Sequence, residues 1–193
     1  MLPGVDSVIP GEGELVFTGL VDSLEKGKGL EGIGGIVYKE NGSLKENDGT
    51  KWIQELDSLP TPARHMVPKG KYYCIIETDS PMTTMISTRG CPYNCSFCLG
   101  FERGRYRERS VEKVVDELES CVRDGYRDIF FWDSIFTVKK DRVLKICQEI
   151  INRNVQVSWS VRARINHVDE EMLEKLREAG CKRIQYGIEA GSD

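Results

Sequence analysis

The chain has 193 residues, of which 39% are hydrophobic and 30% are charged, and its formal net charge is -4 at pH 7. This composition is typical of a folded globular protein and excludes a chain that is disordered throughout. The sequence contains no apolar run of about 18 residues and does not begin with the basic and apolar regions of a signal peptide. We therefore expect a cytoplasmic protein with no membrane partner, and the slightly acidic balance predicts no nucleic-acid partner.

Residues 1–57 are rich in glycine and turn signals and are predicted to form a small α/β unit. An amphipathic stretch that ends near Leu24 predicts a helix. A short apolar run at residues 35–38 is followed by Asn41-Gly42, a pair that is typical of the tight turn of a β-hairpin.

A proline-containing segment separates this unit from the rest of the chain. Pro60 and Pro62 oppose both helix and sheet, so residues 58–80 are predicted to be an extended linker. A larger domain is then expected at residues 81–193.

The larger domain alternates between short apolar runs that predict β-strands and amphipathic segments that predict helices. Ser110 and Asp169 precede two of the helices and are predicted N-caps, and Gly180 follows the last helix. Strands separated by helices at a spacing of about 30 residues predict parallel strands joined by crossovers, which is the α/β class. The predicted strands are residues 85–88, 129–132, 155–161 and 184–188, and the predicted helices are residues 111–122, 143–151 and 170–179.

The third predicted strand is apolar on one face and polar on the other. Trp159 and Val161 lie on the apolar face, whereas Ser160 and Arg162 lie on the polar face. A polar inner face is typical of a barrel that holds a polar ligand, whereas both faces of an open doubly wound sheet are apolar. We therefore predict a partial parallel barrel of about four βα units, preceded by the small α/β unit. Because four strands cannot close a barrel, we expect that the chain is a fragment or that another chain completes it.

Three of the seven cysteines lie close together, as Cys91, Cys95 and Cys98, directly after the first predicted strand of the larger domain. In a parallel barrel the loops that follow the strands form the active face. Three thiolates on a short loop can hold a 4Fe-4S cluster and leave the fourth iron without a protein ligand. Zinc is the alternative, although structural zinc usually has four protein ligands, and His65 and His167 are distant in sequence. Three further cysteines are predicted to be small core residues: Cys121, Cys147 and Cys181.

The C-x3-C-x2-C spacing, with the aromatic Phe97 directly before the third cysteine, resembles the signature of the radical S-adenosylmethionine (radical SAM) enzymes. The resemblance covers about residues 84–193. It implies a partial barrel in which Cys91, Cys95 and Cys98 bind the cluster and Phe97 contacts the adenine of S-adenosylmethionine. It also implies that the open iron is chelated by the cofactor, whose reductive cleavage gives methionine and a 5'-deoxyadenosyl radical. Further segments that match the family are residues 89–92, 106–110, 131–137 and 179–192.

The same resemblance implies four more contacts with S-adenosylmethionine. Asp133 is expected to face the methionyl amine, or alternatively to cap the helix that follows it. Glu189 is expected to touch the ribose or the methionyl end. Arg162 and Arg164 are candidates for the methionyl carboxylate, or alternatively pair with acidic residues at the mouth of the barrel.

Residues 5–14, the helix that follows them and the proline-containing segment resemble the end of the cobalamin-binding domain that precedes many radical SAM barrels. The Asp-x-His-x-x-Gly loop of that domain, which supplies the lower axial histidine, is not found in this sequence. We therefore expect cobalamin to bind only in a longer protein.

The resulting hypothesis is a fragment of a cobalamin-associated radical SAM enzyme that carries out methyl transfer or related radical chemistry and is inactive in isolation. The expected partners are a small-molecule or natural-product-like substrate and an electron donor such as flavodoxin or ferredoxin. The alternative hypothesis is a non-catalytic iron-sulfur or zinc-binding module.

Overall fold

The computed structural model describes residues 3–49, 52–72, 81–100, 103–189 and residue 191. The chain divides into two compact units, Met1–Gln54 and Glu55–Asp193. Within the described ranges, no helix combines the length and the apolar composition that a bilayer crossing requires.

The first unit contains one helix and a three-stranded antiparallel sheet. The predicted hairpin is confirmed, because Asn41 and Gly42 have φ angles of 49° and 78°. Positive φ at both central residues is the requirement of the two-residue turn that matches the twist of the flanking strands. A small apolar cluster that includes Leu20 and Tyr38 forms the core of this unit. In chain order the elements are β1 (Ser7–Val8), α1 (Glu14–Glu25), β2 (Val37–Glu40) and β3 (Ser43–Glu46).

Residues 55–72, which include part of the predicted linker, lie in the second unit. The side chain of Arg64 donates hydrogen bonds to Glu117 Oε1 at 2.6 Å and to the carbonyl oxygen of Thr84 at 2.7 Å. These contacts hold the segment against the strand Met82–Met85 and the helix Val111–Arg123 of the same unit. The remainder of the predicted linker, residues 73–80, lies outside the described residues. The segment forms three short 3-10 helices, Leu56–Ser58, Arg64–Met66 and Lys69–Lys71.

The second unit is built on four parallel strands, which confirms the predicted α/β class. In chain order the elements are β4 (Met82–Met85), β5 (Thr88–Arg89), β6 (Arg107–Glu108), α2 (Val111–Arg123), β7 (Asp128–Phe131), α3 (Lys140–Asn152), β8 (Ser158–Arg164), α4 (Glu170–Glu178) and β9 (Cys181–Gly187). Among the described residues the parallel sheet is open and has the order β4-β7-β8-β9, and β5 and β6 form a separate two-stranded antiparallel sheet.

Both predicted N-caps are confirmed. Ser110 Oγ accepts a hydrogen bond from the backbone N–H of Lys113 at 3.3 Å, and Asp169 Oδ1 accepts one from Met172 at 2.9 Å. Each cap satisfies a backbone donor that has no partner inside the helix. Two of the three helices of the second unit, α2 and α4, therefore begin where local side-chain chemistry predicts.

The helices and one face of the sheet enclose the main core of the second unit. Phe131, Phe136 and Trp159 form its aromatic centre, with ring centroids 5.0 to 5.7 Å apart. The indole N–H of Trp159 donates to the carbonyl oxygen of Ala179 at 2.8 Å, which satisfies its polar atom inside the core. The polar face of β8 is turned away from this core, because side chains alternate along a strand.

Candidate functional site

The three clustered cysteines lie on a loop at the carboxyl end of the parallel sheet. β4 ends at Met85, the short strand β5 follows, and the loop starts directly after it at Cys91. Cys91, Cys95 and Cys98 are free thiols, the first two partly buried and the third exposed. This position is the one at which parallel α/β folds build ligand sites.

Hydrogen bonds from backbone N–H groups within residues 91–104 stabilise the conformation of this loop. The N–H of Gly104 donates to the carbonyl oxygen of Cys91 at 2.8 Å, and the N–H of Cys98 donates to the carbonyl oxygen of Cys95 at 3.2 Å. The N–H of Gly100 donates to Cys98 Sγ at 3.3 Å. A Cβ atom at Gly100 would also lie 3.3 Å from this sulfur, so glycine leaves the donor close access. Hydrogen bonds to cysteine sulfur are among the contacts that tune iron-sulfur clusters.

The chemistry of the donor set fits a three-cysteine cluster. Among the described residues, no group of three or more His, Cys, Asp or Glu side chains is close enough together to hold a metal ion. The three loop cysteines fall within that statement, so a cluster on this loop would require their thiols to move closer together. A zinc site would require a fourth ligand, and His167 already uses its Nε2 in a hydrogen bond with Tyr93 at 2.6 Å.

The other described cysteines differ sharply from the loop cysteines. Cys121, Cys147 and Cys181 are 1%, 0% and 9% exposed, which confirms the prediction that they are core residues. Burial raises the pKa of the Cys121 thiol to about 11, and it raises the pKa of Cys147 and of Cys181 to about 12. Protonated thiols are poor metal ligands, so these residues are structural.

Asp133 lies below the loop and holds the segment that leads into it. Its Oδ1 accepts hydrogen bonds from the backbone N–H groups of Ser87 at 2.7 Å and Thr88 at 3.1 Å, and its Oδ2 accepts from the Ser87 hydroxyl at 2.5 Å. The alternative prediction of a helix cap is wrong, because α3 begins at Lys140 and its N-cap position is Lys139. Burial raises the pKa of the Asp133 carboxyl, and the hydrogen bonds from Ser87 and Thr88 oppose that increase.

Arg142 supports the same segment from the opposite side and was missed by sequence analysis. Its guanidinium is 7% exposed and donates to Ser87 Oγ at 3.3 Å, to the Ser87 carbonyl oxygen at 3.1 Å and to the Arg109 carbonyl oxygen at 3.0 Å. Ser87 is thus held between Asp133 and Arg142. The sequence contains one sign of this burial, because Arg142 lies four residues before Ile146 and therefore on the apolar face of an amphipathic helix.

Glu117 is a second buried ionic residue that sequence analysis missed. Its side chain is 2% exposed and lies between Arg64, at 2.6 Å, and Arg109, whose guanidinium is in direct contact with the second carboxylate oxygen. Glu117 stands beside Leu118 and three residues after Val114, within the apolar face of α2. A charged residue at such a position indicates a buried ion pair, but spacing alone does not name its partner.

The predicted cofactor residues Arg162 and Arg164 lie on the polar face of β8, and both contact aromatic rings. The guanidinium carbon of Arg162 lies 4.1 Å from the ring centroid of Trp132 and 5.2 Å from that of Phe130. That of Arg164 lies 4.3 Å from the ring of Tyr93, inside the cysteine loop. The structure therefore brings Arg164 to the loop, and it brings Arg162 to the same face of the sheet.

The two remaining predicted contacts are exposed. The Phe97 side chain is 66% exposed next to Cys98. Glu189 follows the end of β9 at Gly187 and has a φ of 65°, so the alternation along that strand does not extend to it. The roles of Phe97 and Glu189 in cofactor binding stay predictions.

Comparison with known sequences shows the family of the chain. The sequence model of the radical SAM superfamily matches residues 85–193. The uncharacterized methyltransferase PH0819 of Pyrococcus horikoshii is 38% identical over 98% of this chain and 41% of that protein. An anaerobic magnesium-protoporphyrin IX monomethyl ester cyclase of Rubrivivax gelatinosus is 31% identical over 98% of this chain and 35% of that protein. The chain thus spans about two fifths of the length of these curated relatives.

Comparison with solved structures concerns the fold. The radical S-adenosylmethionine methyltransferase TsrM from Kitasatospora setae, with tryptophan and a SAM analog bound, superposes with a TM-score of 0.75 and 20% identity over 98% of this chain and 38% of that one. A structure of TsrM with cobalamin and a 4Fe-4S cluster bound gives a TM-score of 0.70 over 96% of this chain. The predicted α/β fold of the radical SAM type is confirmed.

Proposed function

The chain belongs to the radical SAM superfamily, since the sequence model of that family matches residues 85–193, and we propose that it carries the cluster site of a cobalamin-associated radical SAM enzyme. The observation that supports this proposal most directly is the division of the described cysteines into two classes. Cys91, Cys95 and Cys98 share one loop at the carboxyl end of the sheet, whereas the other three described cysteines are buried in the core. A non-catalytic zinc module has no comparable support.

The three loop cysteines are the proposed cluster ligands. Each thiolate would bind one iron, which leaves one iron for the amino and carboxylate groups of S-adenosylmethionine. When bound, such a cluster supplies the single electron that cleaves S-adenosylmethionine to methionine and a 5'-deoxyadenosyl radical. The chain itself contributes the thiolates, the N–H of Gly100 that donates to Cys98 Sγ, and the buried supports beneath the loop.

The polar face of β8 is the proposed binding surface for the methionyl end of S-adenosylmethionine. The guanidinium carbons of Arg162 and Arg164 lie 4.1 and 4.3 Å from the ring centroids of Trp132 and Tyr93, and a guanidinium group is well suited to bind a carboxylate. Phe97 offers an exposed ring for the adenine, and Glu189 an exposed carboxylate beyond the end of β9. Both oxygens of Asp133 already accept hydrogen bonds, which supports a role in positioning Ser87 rather than direct contact with the amine.

The reaction of the complete protein is proposed by analogy with its relatives. The names of the relatives include a methyltransferase and a cyclase, and TsrM is a methyltransferase that binds cobalamin. We infer methyl transfer or related radical chemistry on a small-molecule or natural-product-like substrate, with flavodoxin or ferredoxin as the electron donor, in the cytoplasm. The 193 residues lack the histidine loop that would bind the cobalt, and their described sheet has four strands. The isolated chain is therefore expected to hold the cluster without completing the reaction.

Anaerobic reconstitution with iron and sulfide tests the proposed function. The wild-type chain is expected to bind about four irons and to change its electron paramagnetic resonance spectrum when S-adenosylmethionine is added. Cys95→Ala is expected to abolish the cluster, because it removes a ligand, while Cys147→Ala, which changes a core thiol, is expected to retain it. Colourless protein with one zinc, or equal iron in the two variants, would contradict the ligand assignment.

A further inference from the structure

The cysteine loop is joined to the segment that follows β8 by a pair of side chains. Tyr93 lies between the first two cysteines, and its hydroxyl is 2.6 Å from His167 Nε2. The two rings also meet edge to face, with centroids 5.2 Å apart and an interplanar angle of 61°. His167 belongs to the short helix Ile165–His167, which follows the end of β8 directly. The contact therefore connects two carboxyl-end loops whose residues are 74 positions apart in sequence.

Arg164 holds the same tyrosine from a second direction. It is the last residue of β8, and its guanidinium carbon lies 4.3 Å from the Tyr93 ring centroid. This distance is within the range of a cation–π interaction. Two residues at the end of one strand thus contact both the hydroxyl and the ring of Tyr93.

Other contacts of the loop are local by comparison. Asn94 Oδ1 accepts a hydrogen bond from Arg103 at 2.9 Å, and the Cys91 carbonyl accepts one from Gly104. Within the described loop 91–98, Tyr93 is the residue whose side chain bonds to a different strand connection. Its contacts fix the position of the loop relative to the polar face of β8.

The surroundings of the second ring nitrogen of His167 increase the importance of its hydrogen bond with Tyr93. Nδ1 is buried and has no hydrogen-bond partner among the described residues. The imidazole therefore forms its hydrogen bond through Nε2 alone. Removing the Tyr93 hydroxyl leaves a partly buried ring with both nitrogens unbonded, which is an unfavourable state.

We propose that Tyr93, His167 and Arg164 form a clamp that positions the cysteine loop against the end of β8. The inference rests on the proposed function, because it assigns the loop to cluster binding. Tyr93 and His167 act as positioning residues, since they hold the loop at a fixed distance from Arg162 and Arg164. Arg164 contributes to the clamp through its contact with the Tyr93 ring, and its guanidinium donors are also candidates to bind the carboxylate of S-adenosylmethionine.

Hydrogen exchange on the cluster-free full chain tests the clamp without reference to activity. Tyr93→Phe removes one oxygen atom, and His167→Leu removes the partner nitrogen. Each is expected to speed amide exchange in residues 91–98 by about five-fold, as loss of one hydrogen bond implies, and the double variant is expected to exchange no faster than the single ones. Tyr72→Phe and His65→Leu change exposed residues of the same types and are expected to leave exchange in this segment at the wild-type rate.

A second measurement on the reconstituted chain separates positioning from ligation. Tyr93→Phe retains the three thiols and is expected to keep its iron, but its electron paramagnetic resonance response to S-adenosylmethionine is expected to differ from that of Tyr72→Phe. A wild-type chain that binds no cluster would contradict the proposed function. The clamp would still be tested in that case, because hydrogen exchange is measured on the cluster-free chain. If residues 91–98 exchange their amide hydrogens at the wild-type rate in Tyr93→Phe, the clamp is contradicted, whatever the iron content of the variant. If His167→Leu fails to fold, the comparison of Tyr93→Phe with Tyr72→Phe decides the outcome.

Discussion

Asp133 and Ser87 are joined twice, because Asp133 accepts one hydrogen bond from the Ser87 backbone at 2.7 Å and another from the Ser87 hydroxyl at 2.5 Å. Asp133 follows β7, and Ser87 lies between β4 and the cysteine loop. The pair therefore fixes the start of the loop to the adjacent parallel strand. Arg142 donates a hydrogen bond to the oxygen of the same hydroxyl at 3.3 Å. The Ser87 hydroxyl therefore accepts from Arg142 and donates to Asp133, so the residue at position 133 must be an acceptor.

Asp133→Asn is expected to destabilise the chain by about 1 to 3 kcal/mol, since the new amide group would place a second donor against a hydroxyl that Arg142 already contacts. Chemical denaturation of the cluster-free chain measures the change, and iron retained after gel filtration reports on the loop. Asp141→Asn, at an exposed position of α3, is the matched control. Equal stability of the two variants would argue against the role of Asp133 in holding Ser87.

Glu117→Gln is expected to cost about 3 kcal/mol of unfolding free energy. The substitution removes the charge that Arg64 and Arg109 share, and their side chains are 11% and 12% exposed. Within the described part of the chain, Arg109 then retains only the longer ion pair with Asp57, at 3.9 Å. Glu119→Gln on the same helix is the control, because Glu119 is 31% exposed and its pair with Arg153 is expected to contribute about 0 to 1 kcal/mol. Similar unfolding midpoints for the two variants would contradict the buried pair.

Gly180→Ala is expected to lower the free energy of unfolding by about 2 kcal/mol. Gly180 has a φ of 95°, and a Cβ atom there would lie 2.6 Å from the carbonyl oxygen of Val157. A side chain at this position therefore meets both backbone strain and a direct clash with backbone. At Gly70 an added Cβ meets nothing within 4 Å, so Gly70→Ala is expected to change stability by less than about 0.5 kcal/mol. Thermal melting of the two variants checks the difference.

The buried thiols predict a loss of stability at alkaline pH. Burial raises the pKa of Cys121 to about 11 and that of Cys147 to about 12, from an ordinary value of 9.0. Above pH 9 the unfolded chain releases these protons while the folded chain retains them, so the free energy of unfolding falls as pH rises towards the folded values. Each thiol contributes a slope of at most about 1.4 kcal/mol per pH unit.

Unfolding measured between pH 8 and pH 11, in wild type and Cys147→Ala, checks this slope. The variant lacks one titrating thiol and is expected to decline less steeply with pH. Peptide mapping after brief iodoacetamide treatment near pH 8.5 offers a parallel test, since Cys91, Cys95 and Cys98 are expected to react and Cys147 is not. Prompt labelling of Cys147 in the folded chain would show that its thiol is more accessible than its burial indicates.

Local sequence patterns predicted the helices better than the strands. Residues 111–122 correspond closely to α2, because the Ser110 cap and the apolar face are both encoded within a few residues. The predicted strand at residues 155–161 begins three residues early, since the N–H of Val155 bonds to the Ile150 carbonyl and closes the end of α3. The first barrel strand is Met82–Met85 rather than residues 85–88, because its pairing with β7 decides where it starts.

The alternation of side chains between the two faces of a sheet predicts their direction only as far as the strand continues. Ser160 and Arg162 alternate with Trp159 and Val161 as predicted. The same rule does not reach Glu189, because β9 ends at Gly187 and the chain adopts a left-handed conformation at Glu189. The end of a strand depends on its neighbours in the sheet, which the alternation of its own residues does not reveal.

The spacing of Cys91, Cys95 and Cys98 is local chemistry, and it is enough to predict a cluster site and to indicate the family. The partners of that loop are a different matter, because they come from distant parts of the chain: Asp133 lies 46 positions from Ser87, and His167 lies 74 from Tyr93. Such pairs form only when strand order and register bring the carboxyl ends of the parallel strands to the same edge of the sheet. The sequence by itself determined which atoms are available for the chemistry, and the tertiary structure decided which side chains hold them in place.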